Sequence, residues 1–139
     1  EKLDGHNESV CKLIKLPDSI FASCSRDSTI VLWSYNMDGK TKLYQTLNEH
    51  SSNVNVLLSL NDFFFLSGSN DGSIKLWGKK DGSYSCIQTL SEPEGTWIYC
   101  IEKFNESKII FGSFQCNIII CNYNNEKLSK IRSIEPMDD

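Results

Sequence analysis

Two histidines, His6 and His50, stand 44 residues apart, and two aspartates, Asp27 and Asp71, repeat that spacing. Histidine as base, aspartate as its orienting partner and a serine nucleophile make a hydrolase triad, so these residue types are the first place to look for chemistry. The duplication speaks against it. A catalytic constellation has no reason to recur at a fixed interval, whereas a structural brace does, and Trp33 and Trp77 share the same interval. No glycine-rich phosphate loop and no carboxylate dyad accompanies them. The six cysteines (Cys11, Cys24, Cys86, Cys100, Cys116 and Cys121) contain no C-x-x-C pair, and with only two histidines there is no closely spaced ligand set for zinc. Small buried hydrophobes in a reducing cytosol are the expected role of these thiols. Neither a cofactor nor a metal is expected.

Bulk properties narrow the classes further. A chain of 139 residues suits one domain, and 40% hydrophobic residues suffice for a core. Net charge is −4 and no basic cluster is longer than Gly78-Lys79-Lys80, so nucleic acid is not an expected partner. The longest apolar runs, such as Phe63 to Leu66, are strand-sized, so no membrane span is expected. No charged-then-apolar leader opens the sequence, and a cytoplasmic location is the expectation.

The elements that must position the repeated residues come in units. Leu3, Leu47 and Leu90 open them, and Val10, Val54 and Ile98 follow at intervals of 44. Each unit holds four strand-like runs. The second unit reads NVNVLLSL, FFFLSGS, SIKLW and YSCIQTL, separated by LND, NDG and KKDG, which are turn-forming sequences. Helical spacing is sustained nowhere, and the chain reads as all-β. Inner runs such as FFFL and NIII are almost continuously apolar, as for strands buried on both faces. The fourth run is mixed, as in KLYQTL, which suits an outer edge with one wet side. Gly68 and Gly112 read as close-packing positions.

Four strands per unit at this period resembles the WD repeats, the blades of a β-propeller. The matching residues are LDGH at Leu3 to His6, LNEH at Leu47 to His50, SRDSTIVLW at Ser25 to Trp33 and SNDGSIKLW at Ser69 to Trp77. Three four-stranded antiparallel blades are expected: residues 3–46, 47–89 and a degenerate third at 90–134. The Asp that follows Trp in the family is absent: Trp33 precedes Ser34 and Trp77 precedes Gly78. The third unit lacks the His, has Gln115 at the turn Asp and Cys121 in place of Trp.

The resemblance implies a hydrogen-bonded chain through each blade, here His6, Ser23, Asp27 and Trp33, then His50, Ser67, Asp71 and Trp77. The types suit the work: carboxylate accepts, indole only donates, and hydroxyl and imidazole do both. Each such bond is worth roughly 0.5–1.5 kcal/mol net, while orphaning a buried member costs about 1–3 kcal/mol. Loss of the whole set in the third unit is the inexpensive way to lose it.

Three blades cannot close where propellers have 4–8. The expectation is either a segment of a longer propeller or association of two copies into a six-bladed ring. The resemblance implies a non-catalytic protein–protein interaction scaffold. The alternative is the substrate- or ubiquitin-recognising propeller segment of a multidomain regulator, such as a ubiquitin ligase subunit or a kinase. Partners are expected to be proteins or peptides. They would meet the ring face carrying the His-bearing loops, where Ser9, Asn53 and Trp97 precede the first strands and Arg26, Asn70 and Phe114 precede the turn. Aromatic and arginine side chains are favoured interface anchors, which singles out Trp97 and Phe114; the alternative is that both pack against a neighbouring blade.

Overall fold

The structure is a computed structural model that describes residues 1–124 and 126–134. It contains twelve strands in three four-stranded sheets. The first holds β1 (Val10–Leu16), β2 (Ile20–Ser25), β3 (Ile30–Tyr35) and β4 (Thr41–Leu47). The second holds β5 (Val54–Ser59), β6 (Phe64–Ser69), β7 (Ser73–Lys80) and β8 (Ser83–Ser91). The third holds β9 (Ile98–Asn105), β10 (Lys108–Ser113), β11 (Ile118–Asn124) and β12 (Lys127–Ile134). Every pairing is between sequence neighbours and antiparallel. The sheets stack in chain order through their first strands and are not closed into a ring.

The same local devices recur in each sheet. Ser28, Gly72 and Cys116 all adopt positive φ between the second and third strands, each closing a turn onto Ser25, Ser69 or Ser113. Glycine takes that conformation at no steric cost, and the other two hold it against strain. Asp81 and Gly82 both have positive φ between β7 and β8, the pair that a two-residue hairpin turn requires. A bulge leaves Cys11, Asn55 and Tyr99 as the extra residue of each first strand. A second bulge falls at Tyr44, Ile87 and Ile131 of the fourth.

Alternation gives each sheet two faces. The rear of the first sheet, with Ile20, Ala22 and Leu32, packs on the front of the second, with Leu57, Phe65 and Trp77. The rear of the second, with Leu66, Ile74 and Leu76, packs on the front of the third, with Ile109, Phe111 and Ile119. Gly68 is a close-approach point in that seam: a Cβ there would come within 2.5 Å of Ile98 Cγ2. Burial of both faces, expected for FFFL and NIII, is met only in part. Phe63 lies in the turn ahead of β6 and is exposed, and Ile118 is exposed because no sheet among the described residues covers the rear of the third.

Candidate functional site

The turn that follows β2 brings Asp27 back toward the segment before β1, and the cross-strand register sets Ser23 beside Trp33. His6 bridges the two. Its Nε2 lies 2.7 Å from Ser23 Oγ and its Nδ1 3.0 Å from Asp27 Oδ2. The Trp33 indole donates to Ser23 Oγ at 2.8 Å. Because the indole can only donate and the carboxylate only accept, the chain runs Trp33 to Ser23 to His6 to Asp27, with His6 protonated on Nδ1. The second sheet repeats it: His50 Nε2 to Ser67 Oγ 2.7 Å, His50 Nδ1 to Asp71 Oδ2 2.8 Å, and Trp77 Nε1 to Ser67 Oγ 2.8 Å.

These distances are those of a Ser-His-Asp triad, yet the serines cannot serve as nucleophiles. Each hydroxyl oxygen accepts an indole N–H and is sealed, Ser67 at 0% exposure and Ser23 at 2%. Over Trp33 the chain passes so closely that a Cβ on Gly5 would come within 2.5 Å of the ring. What the arrangement does is hold a loop to a turn. Asp27 accepts from the Asn7 backbone N–H at 2.9 Å and Asp71 from that of Ser51 at 3.1 Å.

Sequence reasoning missed two members per network. The hydroxyls of Thr29 and Ser73 each donate to the Asp at 2.6 Å, while Ser25 and Ser69 accept the Asp backbone N–H at 3.0 Å. All four keep the interval of 44, which was the available signal. Burial alone would raise the carboxyls. Hydrogen bonds from Thr29, Asn7 and His6 outweigh it and hold Asp27 at about 2, below its ordinary 3.8. Asp71 is depressed by His50 and Ser73 in the same way.

In the third sheet the register sets Phe111 at the serine position and Cys121 at the tryptophan position, both fully buried. A small-plus-large pair has become large-plus-small. Gln115, at the Asp position, donates from Nε2 to the Gly95 carbonyl at 2.7 Å. The loop-to-turn tie survives with donor and acceptor exchanged. Burial pushes the Cys24 thiol up to about 12 and that of Cys121 to about 11, so both stay protonated and inert.

The six residues expected on the loop-bearing face meet in pairs. Arg26 N–H donates to the Ser9 carbonyl at 3.0 Å, Asn70 to Asn53 at 2.9 Å and Phe114 to Trp97 at 2.9 Å. Only the third pair is aromatic. Trp97 and Phe114 stack with centroids 5.0 Å apart, and Tyr99, absent from the sequence expectation, meets both edge-on at 6.5 and 6.0 Å. The three are 38%, 61% and 44% exposed, and no sheet among the described residues covers them. The bulge in β9 is what turns Tyr99 toward the pair. Beside them Asn55 donates to Asn70 Oδ1 at 2.6 Å and to the Ile98 carbonyl at 2.8 Å, tying the second pair to the third sheet. Among the described residues no group of three or more His, Cys, Asp or Glu could hold a metal.

A family model for the WD domain, G-beta repeat, matches residues 1–34 and 41–78. The crystal structure of the WD40 β-propeller domain of Doa1 is similar with TM-score 0.76 and 27% identity, over 95% of this chain and 42% of that one. That of Saccharomyces cerevisiae Sqt1 is similar with TM-score 0.81 and 16% identity, over 97% of this chain and 37% of that one. The chain therefore spans less than half the length of either. No curated protein matches in sequence. Family match, repeated brace and three-sheet architecture agree: the chain belongs to the WD40 repeat family.

Proposed function

We propose that this chain is a non-catalytic scaffold that binds protein or peptide partners through the loop-bearing face of its third sheet, with Trp97, Tyr99 and Phe114 as anchors. The observation that carries the reading is the exposure of three aromatics in mutual contact, one pair stacked and the third ring edge-on to both, at the place where the other sheets present Ser9, Arg26, Asn53 and Asn70. Such side chains bury large area at low entropic cost and dominate binding energy where they occur. A non-catalytic role is supported by the sealing of both serines within their braces. The net charge of −4 disfavours nucleic acid, and among the described residues no helix is long and apolar enough to cross a membrane. The free cysteines suit a reducing, cytoplasmic setting. The test is enrichment of a displayed random-peptide library on the immobilised chain. Trp97→Ala and Phe114→Ala should each abolish the enriched family with little change in melting temperature. Enrichment of the same peptides by both variants refutes the surface, and a large fall in melting temperature assigns the rings to folding instead.

A further inference from the structure

We propose that the outer edge of β8 takes up an extended segment of a protein partner as a fifth strand of the second sheet, a segment whose side chains alternate between apolar and acidic. The inference uses residues apart from the aromatic surface and stands or falls separately from it.

β8 is the outer strand of the middle sheet, which has a sheet of this chain on either side. An outer strand presents a row of backbone N–H and C=O groups, and charged side chains are a common guard against pairing there. β4 carries Lys42, and β12 carries Lys127, Lys130 and Arg132. β8 is longer than both at 9 residues, and Ser83–Ser91 holds no charge. Near its start Gln45 takes both backbone groups of Tyr84. From Ser85 to Ser91 no neighbouring backbone among the described residues is hydrogen-bonded along the outer side.

A cleft runs beside this open stretch. Phe63, Phe64, Gly78, Ile87 and Glu126 line a volume of about 390 Å³ between the second and third sheets. In the first seam Tyr44 crosses the corresponding place and donates to the Gly82 carbonyl. By register Ile87 stands at the position of Tyr44, and Glu126 at that of Gly82. An aliphatic side chain cannot make that bond, and Ile87 is left 45% exposed beside Phe63 at 61%. Gly78 gives the cleft its floor: a Cβ there would come within 3.0 Å of Phe64 Cε1 and 3.3 Å of Ile87 Cγ2.

These features define the occupant. Open strand groups are complemented by another strand, whose successive side chains fall on opposite faces. Those on the side of the third sheet enter the cleft and are apolar. Those on the side of the first sheet meet Lys42. Ser85 lines the cleft toward the third sheet and Lys42 corresponds to it by register, so Lys42 points from the first sheet toward the second. Lys42 is exposed and has no carboxylate partner among the described residues, and an acidic side chain complements it. A second copy fits less well. The two-fold that pairs β8 with its copy antiparallel sets β4 beside β4 and β12 beside β12, with like charges on both flanks.

The test is titration of the full chain against a fluorescent nonapeptide of alternating valine and glutamate, read by anisotropy. Saturable binding is expected, unchanged by Trp97→Ala. Two further probes are methylated on alternate backbone nitrogens, one at the valines and one at the glutamates. They should differ by about tenfold or more, because only one set faces the edge. Ile87→Ser should weaken binding about tenfold and Lys42→Glu about threefold or more. Both residues are exposed, and melting temperature checks the fold. The methylated probes need no variant, so they decide even where a substitution disturbs folding. Absence of binding, equal binding of the two methylated probes, or loss of binding with Trp97→Ala overturns the proposal. So does a dimer of the chain that Ile87→Ser dissolves, which assigns the edge to a second copy.

Discussion

The side-chain amide of Gln45 closes on the backbone of Tyr84 in the next sheet, donating from Nε2 to the carbonyl at 2.7 Å and accepting the N–H on Oε1 at 2.9 Å. Gln88 does the same to Leu128 one seam later, at 2.7 Å in both directions. The outer strands of neighbouring sheets share no ladder, so these amides are their hydrogen-bonded link. Only a group with donor and acceptor at amide spacing satisfies both atoms of the receiving residue.

Gln45→Glu tests that statement. It preserves shape and acceptor but loses the donor to the Tyr84 carbonyl and brings a charge to a half-buried place. It should destabilise by about 1–3 kcal/mol in urea, and Gln45→Ala by a similar amount. Thr46→Ala, exposed on the same strand, should lie within about 0.5 kcal/mol of wild type. Equal stability of all three variants would show the latch to be idle.

Asp71→Ala should cost about 1–3 kcal/mol, because it leaves the buried His50 Nδ1–H only the Ser73 Oγ at 3.2 Å and strands the Ser51 N–H and the Ser73 hydroxyl proton. Gln115→Ala removes one bond at an exposed site and should cost under about 1 kcal/mol. Chemical denaturation of the two variants side by side is the measurement.

The depressed carboxyls give a direction to the acid side of the stability curve. Asp27 sits at about 2 in the folded chain against an ordinary 3.8, so its ionised form stabilises the fold. That contribution is whole above about pH 4 and drains away as pH falls through about 2. The urea-midpoint gap between wild type and Asp27→Asn should therefore be constant from pH 7 to 5 and shrink between about pH 4 and 2. A gap that widens on acidification would reverse the sign.

Period, strand count and the braces of the first two sheets were legible because each depends on residues the chain repeats: His6 and His50, Asp27 and Asp71, Trp33 and Trp77. Tyr99 was not legible, since only the bulge in β9 brings it to Trp97 and Phe114. The seam latches were hidden for another reason. Gln45 and Gln88 stand in QTL sequences that look like ordinary outer-strand polarity, and their partners are backbone atoms, which leave no mark on composition. The third unit lacks the His, Ser, Asp and Trp of the brace, and the separate bond by which Gln115 ties loop to turn was not legible because its partner is a backbone carbonyl.

Phe111 and Cys121 allow the third sheet's exchange to be run backwards. In the second sheet Ser67 and Trp77 share one buried space through a 2.8 Å hydrogen bond. In the third, Phe111 fills that space from the opposite strand and Cys121 yields it, both at 0% exposure. Phe111→Ser alone should cost about 3–5 kcal/mol, as truncation of a buried aromatic leaves a cavity and here also an unpaired hydroxyl. Cys121→Trp alone overpacks the same space and should cost about 1–3 kcal/mol or more. Together they restore both the volume and a donor for the hydroxyl, so the double variant should be more stable than Phe111→Ser by well over 1 kcal/mol. A double-mutant cycle read by urea denaturation gives the coupling directly. Strict additivity of the two losses would mean that Phe111 and Cys121 do not trade the space that Ser67 and Trp77 share.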